Sequence, residues 1–217
     1  MLNLYFIRHA ESEMNLREDL IGGRCPDTPL TTRGFLQACQ LRDYFLNQNI
    51  YFDEIHSSPI PRALETAKIV CAGHNFPLEN ILQWDALQEL SHGEWEKQPR
   101  AERFTSEVYA RMKLEHWDYR SPQGESQRDV CERLYGFVKD RFLWRYERAV
   151  VGDVTAGIFT HGMAIKCVLR EIENSDPRMI WKTAIDNTSI THLKYNQHGW
   201  HVLGVNRTPH LVKKELE

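Results

Sequence analysis

The segment LNLYFIRHAESEMN at residues 2–15 decides the fold of this chain. Its first six residues are mostly apolar and lead into Arg8 and His9, which predicts a buried strand with these two side chains at its carboxyl end. Open α/β proteins bind their ligands at that edge of the sheet. Because a guanidinium beside an imidazole favours an anion, the segment predicts an anion site suited to phosphate chemistry.

Three further segments supply groups that complement this pair. Arg62 lies in SSPIPR, Glu89 lies in QELSHG, and His161 lies in THG after another apolar run. The prolines of SSPIPR predict a helix with Arg62 in its first turn, where unpaired backbone amides favour the same anion. Two arginines, two histidines and one glutamate can therefore form one site.

Composition limits the class of protein. A chain of 217 residues fits one domain, and we expect residues 1–217 to form it. The net charge of -3 gives no general attraction to nucleic acid or anionic membrane, so the expected partner is a small phosphorylated metabolite. Five widely spaced cysteines without a CxxC pair argue against disulfides and zinc. With no apolar run near the roughly 20 residues that span a bilayer, we expect a cytoplasmic protein with no membrane partner.

Hydrophobic periodicity predicts alternating strands and helices, and hence an α/β fold with a mostly parallel sheet. Residues 19–29 are rich in Gly, Pro and Asp and are predicted to be a loop over the sheet edge. Residues 84–124 are irregular, with a helix near Thr105 to His116, and are predicted to be a cap insertion. The other predicted elements are a helix from Thr31 or Thr32 with the apolar stripe Phe35, Ala38, Leu41 and Phe45, strands at 53–57 and 154–159, helices after Pro61, Ser126 and Met163, and a late hairpin of 189–195 and 201–205.

The ordered motifs RHAESEMN, PLTTRG, SSPIPRALETA, ELSHGEWE and THG resemble those of the histidine phosphatase superfamily, also called the phosphoglycerate-mutase-like family. The resemblance spans nearly the whole chain and implies a three-layer α/β/α sandwich. It implies that His9 is the nucleophile that accepts the phosphoryl group and that Glu89 is the proton donor. It also implies phosphate binding by Arg8, Asn15, Arg62, His161 and Gly162, and we expect substrate contacts from Ile21, Gly22 and Arg24.

The chemistry is consistent with these implied roles. A neutral imidazole is a good nucleophile, and a phosphohistidine divides ester hydrolysis into two steps. Fixed cations stabilise the charge that spreads over a phosphoryl group in flight. Because arginine and histidine can take the place of a divalent ion as charge neutralisers, we expect no metal and no other cofactor.

Three functions remain open at this point. Phosphoglycerate mutases of the family carry ERHYG at the acid segment and FTG in the turn after the nucleophile, where this chain has ELSHG and Leu20-Ile21-Gly22. The missing arginine and threonine favour a phosphatase. The alternatives are a mutase with altered substrate contacts and an inactive module that binds a phosphorylated ligand.

The substrate is not determined by the motifs. Sugar phosphates, phosphoglycerates and nucleotides all fit, and Arg24, Arg100 and Arg103 are candidates for holding a second anionic group. The tryptophans of the predicted cap, Trp84, Trp95 and Trp117, either stack on a substrate or pack the cap onto the core. An edge strand in the late hairpin leads us to expect a homodimer.

Overall fold

The computed structural model describes residues 1–74, 76–147 and 152–211. Within them, six strands form one central sheet: Leu2–Arg8 (β1), Glu54–Ser57 (β2), Leu82–Gln83 (β3), Val154–Thr160 (β4), Ile190–Asn196 (β5) and Gly199–Arg207 (β6). Their order across the sheet is β3-β2-β4-β1-β5-β6. The first four in this order run parallel, whereas β5 and β6 pair antiparallel at one side. The sheet is therefore mostly parallel, as predicted.

The helices begin where the sequence supplies capping groups. Thr31 accepts a hydrogen bond from the Gly34 amide at 2.9 Å, and Ser126 forms a reciprocal capping pair with Asp129. The described helices are Thr32–Asn47 (α1), Pro61–Ala72 (α2), Arg100–Arg103 (α3), Ser106–Glu115 (α4), Gln127–Val138 (α5), Trp144–Glu147 (α6) and Gly162–Glu173 (α7). A π-helical turn at Lys139–Leu143 joins α5 to α6.

Alternation along the central strands produces two separate cores. In β1, Leu4 and Phe6 pack with residues of α5 and α7, whereas Ile7 packs with residues of α1 and α2. In β4, Ile158 joins the first core and Phe159 the second. Each such fully buried side chain contributes about 1.5–3 kcal/mol of transfer free energy. Helices thus cover both faces of the sheet, and the predicted three-layer arrangement is present.

One residue of the predicted α1 stripe is misplaced. Phe35 is 53% exposed, and the buried face of α1 runs through Gly34, Gln37, Ala38, Leu41 and Phe45. A Cβ at Gly34 would lie 2.0 Å from the Glu11 carbonyl oxygen, so the helix approaches the preceding chain through its glycine. Phe35 follows about 100° further round the helix and faces solvent.

The segment 84–124 contains α3, α4 and three short 3₁₀ turns. Thr105 caps α4, in agreement with the predicted helix. None of the residues of α4 is buried, so this helix stands off the two cores. The loop before α1 is tied to the same segment, because the Ile21 amide donates to the Gln98 carbonyl at 2.9 Å. Within the described residues, every helix is too short or too polar to cross a bilayer.

Candidate active site

The candidate site lies at the carboxyl ends of three neighbouring parallel strands. Arg8 is the last residue of β1 and pairs in register with Thr160 of β4, so His9 and His161 leave the sheet side by side. Their rings lie 5.1 Å apart between centroids. The amide of Ser58, which follows β2, donates to the Phe159 carbonyl at 2.9 Å. The parallel sheet therefore gathers the residues that the motifs indicated.

His9 is held in one tautomer. Its side chain is buried, and Nδ1 lies 2.7 Å from the Ala10 carbonyl oxygen, which requires Nδ1 to carry the proton. Nε2 of the neutral ring is then unprotonated, and its lone pair accepts a hydrogen bond from Arg62 Nε at 3.1 Å. Burial, followed by the nearby guanidiniums of Arg62 and Arg8, holds the pKa of His9 well below its usual value. The imidazole is therefore neutral, which is the form that can act as a nucleophile.

Arg62 is fixed by backbone carbonyls. Its guanidinium is buried in the first turn of α2 and donates to the carbonyl oxygens of Gly23 at 2.8 Å and Arg24 at 2.7 Å. Cys25 supplies a third carbonyl at 3.3 Å. The loop at 23–25 therefore wraps around the guanidinium and aims Nε at His9.

Arg8 and His161 each carry a buried nitrogen without a hydrogen-bond partner among the described residues. Arg8 donates through Nη1 to the Ile185 carbonyl at 2.6 Å, but its Nε has no acceptor. His161 bonds to Ser58 Oγ through Nε2 at 2.9 Å, whereas its Nδ1 is unpaired. Burial, followed by Arg62 and His9, holds the pKa of His161 well below its usual value. Unpaired buried polar atoms are costly, and an anion would supply an acceptor for Arg8 Nε and for His161 Nδ1 when that nitrogen carries the proton.

Glu89 lies at the amino end of α7. Its carboxylate accepts hydrogen bonds from the amides of Leu90 at 2.8 Å, Met163 at 3.2 Å and Ala164 at 3.3 Å. Gly162, the first residue of α7, lies close to Arg8, since a Cβ there would be 3.5 Å from Arg8 Nε. The helix end thus places the half-buried acid beside the cationic side chains.

Asn15 borders the same space. Its Oδ1 accepts from the Ser12 amide at 3.0 Å and from Asn187 Nδ2 at 3.2 Å. With the amide oxygen used in this way, the side-chain NH₂ is the group left to meet a ligand.

The three residues expected to contact the substrate have different environments in the structure. Gly22 lines the cavities described below. Ile21 is fully buried and its carbonyl accepts from the Lys97 amide at 2.8 Å, so it packs the loop and does not face a ligand. The side chain of Arg24 binds Glu125 at 3.0 Å, and its contribution to the site is the carbonyl that holds Arg62.

Two cavities meet at the carboxyl edge of the sheet. A small cavity of about 290 Å³ contains His9, Asn15 and Arg62, and a large cavity of about 720 Å³ lies beside it under the segment 84–124. Both are lined by Arg8, Gly22, Gly23, Glu89 and Arg100. The proposed nucleophile therefore lies in the small cavity, and the proposed acid lies where the two join.

Two of the three tryptophans of the segment serve packing. Trp84 donates to His56 Nδ1 at 3.0 Å, and Trp95 packs edge-on against Phe104. Trp117 does line the large cavity, but the guanidiniums of Arg128 and Arg170 lie 4.2 and 4.1 Å from its ring centroid. These cations cover its ring, so the packing interpretation of the tryptophans is the better one.

Three supporting residues were not singled out from the sequence, and of these Asn187 alone lies outside the quoted motifs. Asn187 precedes β5 and donates to the His9 carbonyl at 3.0 Å. Thr66 accepts from the Ala10 amide at 3.0 Å and donates to the Arg62 carbonyl at 2.6 Å. Glu96 lies within ELSHGEWE, so the motif could have indicated it. Its carboxylate accepts from the amides of Arg24 and Cys25, each at 3.0 Å, and fixes the loop around Arg62.

Comparison with known proteins places the chain in a family. A model of the histidine phosphatase superfamily (branch 1) matches residues 4–208. The phosphatase PhoE of Bacillus subtilis (strain 168) is 26% identical over 214 residues, covering 97% of each chain. The probable phosphoglycerate mutase GpmB of Cronobacter sakazakii (strain ATCC BAA-894) is 28% identical over 206 residues, covering 92% of this chain and 88% of that protein.

A solved structure agrees with the sequence relatives. A phosphoserine phosphatase mutant from Entamoeba histolytica in complex with phosphoserine has a TM-score of 0.77 at 25% identity, covering 98% of this chain and 100% of that chain. Phosphatase-named relatives support the prediction of a hydrolase, and a mutase also occurs among the relatives. The family model, the relatives and the arrangement at the sheet edge agree, and the protein belongs to the histidine phosphatase superfamily.

Proposed function

We propose that this protein is a phosphomonoesterase that works through a phosphohistidine on His9. The observation that carries the proposal is the unprotonated Nε2 of His9, which accepts a hydrogen bond from Arg62 Nε at 3.1 Å while Nδ1 bonds to the Ala10 carbonyl. In the first step, Nε2 attacks the phosphorus and the ester P–O bond breaks. Glu89, protonated in the substrate complex, gives its proton to the leaving alkoxide, and the alcohol departs.

The second step returns the enzyme to its starting state. Glu89 takes a proton from water while the water oxygen attacks the phosphorus, the P–N bond breaks, and phosphate leaves with His9 neutral again. Arg8, Arg62 and His161 stabilise the equatorial oxygens in both steps, with help from Asn15. Such preorganised donors contribute several kcal/mol to phosphoryl transfer.

The expected substrate is a small phosphorylated metabolite. Phosphoserine is a sensible first test, because a structural neighbour was solved with it. We further propose that the segment 84–124 acts as a cap, since its residues form much of the wall of the large cavity beside Glu89. The alcohol part of the substrate would then lie under this cap.

The proposal is tested by phosphate release from phosphoserine and phenyl phosphate in the presence of EDTA. We expect His9→Ala to reduce release by at least about 10⁴-fold and Glu89→Gln by about 10²–10⁴-fold, while EDTA has no effect. His201→Ala, which removes an exposed histidine on β6, is the control and retains full activity. Release that survives His9→Ala, or that EDTA abolishes, contradicts the mechanism.

The mutase alternative is favoured by the match to GpmB. It predicts movement of phosphate between two hydroxyls of one molecule without net release. Incubation with 3-phosphoglycerate, followed by ³¹P NMR, separates the two outcomes. A phosphatase gives inorganic phosphate, and a mutase gives a second phosphate ester.

A further inference from the structure

Lys166 stands on the face of α7 that borders the large cavity. It follows Gly162 by four residues, so the two lie one above the other on that face, and both line the cavity. Its side chain is half-buried. In the described part of the chain, its ammonium makes no hydrogen bond and no ion pair. A half-buried charge without a partner costs free energy that a bound anion would recover.

Several other charged groups of the large cavity are already engaged. Arg178 pairs with Asp176 through several contacts, and Arg100 lies over the Phe104 ring. Glu125 receives hydrogen bonds from two arginines and from a backbone amide. Apart from Lys113, which is exposed at the surface, Lys166 is the lysine that this cavity offers to a ligand.

The electrostatic environment of Lys166 also favours an anion. Burial, followed by the nearby Arg8 guanidinium, lowers the pKa of Lys166, and Glu89 acts in the opposite direction. Glu89 is itself bound by backbone amides, and no ion pair between it and the lysine is present. An anionic ligand in the cavity beside Lys166 would offset both the cost of burying the ammonium and its repulsion by the Arg8 guanidinium.

Aromatic side chains line the same cavity as Lys166. Tyr109 of α4 and Trp181, which follows α7, both line the cavity and are 52% and 56% exposed. They belong to two different segments, and Met112 adds a further apolar side chain to the wall. An apolar or aromatic body fits against these surfaces.

We propose that the substrate is a phosphomonoester whose alcohol part has an apolar or aromatic body and a second anionic group, and that Lys166 binds this second anion. The inference rests on the proposed function, because it assumes that the ester phosphate occupies the small cavity. The sequence offered Arg24, Arg100 and Arg103 for this role, and of these Arg100 lines the large cavity together with Lys166. Arg24 is bound to Glu125, and Arg103 does not line either cavity.

The test measures binding in a background that cannot react. Phenyl phosphate and the three ring isomers of carboxyphenyl phosphate are titrated calorimetrically into His9→Ala protein. We expect at least one carboxylated isomer to bind about tenfold more tightly than phenyl phosphate. Adding Lys166→Met should remove this advantage and leave phenyl phosphate binding within about twofold, whereas Lys166→Arg should retain most of it.

The controls separate this inference from the proposed function. Lys182→Met removes an exposed lysine that does not line the cavity and should leave the advantage unchanged. If both esters bind without any carboxylate advantage, or Lys166→Met weakens both equally, the second-anion site is overturned and the phosphate site stands. If no ester binds to any variant, the phosphate site and this inference both fail.

Discussion

At the small cavity two polar side chains, His9 and Arg62, are buried and bonded to backbone carbonyls, whereas at the large cavity two aromatic side chains, Tyr109 and Trp181, are half-exposed. His9 and Arg62 are 3% and 4% exposed, while Tyr109 and Trp181 exceed 50%. Strand ends and a helix start hold the first pair, but α4 buries none of its residues. Reaction chemistry needs positions fixed to within a fraction of an ångström. Substrate selection tolerates adjustable walls, so the two cavities divide these tasks.

The largest expected effect comes from a substitution of Arg62 in the small cavity, whose buried, fixed side chains we call the rigid side of the site. Arg62→Met removes the donor to His9 Nε2 and leaves the carbonyls of the loop at 23–25 without their partner. We expect kcat/KM for phenyl phosphate to fall about 10³-fold. Arg111→Met, an exposed arginine of α4, is the matched control and should stay within about twofold.

A second measurement shows whether the loss at Arg62 reflects chemistry or unfolding. Urea denaturation reports the free energy of unfolding of both variants. We expect Arg62→Met to be destabilised by about 1–3 kcal/mol and to remain folded at 25 °C. A folded Arg62→Met variant with near wild-type kcat/KM would remove the guanidinium from the mechanism.

The rigid side of the site could be predicted from the sequence for a physical reason. Apolar alternation located β1 and β4, and parallel strands bring their carboxyl ends to one edge, so Arg8, His9 and His161 had to meet. The start of α2 at Pro61 placed Arg62 at the same edge. Local patterns therefore carry information wherever strand and helix ends determine position.

The residues that the sequence missed, or to which it gave another role, depend on contacts between distant parts of the chain. Asn187 reaches His9 across 178 positions of sequence, and nothing in its neighbourhood indicates that contact. Ile21 was expected to touch substrate but is buried, because its loop pairs with Lys97 and Gln98. Arg24 bears a charge suited to a ligand, but Glu125 neutralises it within the fold. Such pairings follow from packing, which spacing alone does not encode.

An intermediate effect is expected at the adjustable wall of the large cavity. Trp181→Ala should lower kcat/KM for 2-naphthyl phosphate about tenfold, since it removes apolar surface from the wall, and should leave methyl phosphate within about twofold. Trp144→Ala, at a tryptophan that is 48% exposed on α6, is the control. An equal loss for the large and the small ester would show that this wall contributes to the reaction chemistry, and the division of tasks would be wrong.

The smallest expected effect is the part of the acid sensitivity that His161 contributes. His161 stays neutral in the folded protein because its pKa is held well below the usual value, whereas the unfolded chain takes up a proton as the pH falls through about 6.5. The unfolded state then binds more protons, so the free energy of unfolding decreases with falling pH. Between pH 7.5 and 5.5 this histidine should cost about 1 kcal/mol. His161→Asn should therefore show a shallower decrease than wild type in urea denaturation, whatever its stability at pH 7.5.

His116→Asn replaces an exposed histidine that lines the large cavity, and Asn tolerates the positive φ at that position. It is the control at an exposed position, and a slope equal to that of wild type would assign the change seen in His161→Asn to the buried ring. The opposite result would be a shallower decrease in the free energy of unfolding for His116→Asn and an unchanged decrease for His161→Asn. The acid sensitivity would then arise at the large cavity, and the division of tasks between the two cavities would be wrong.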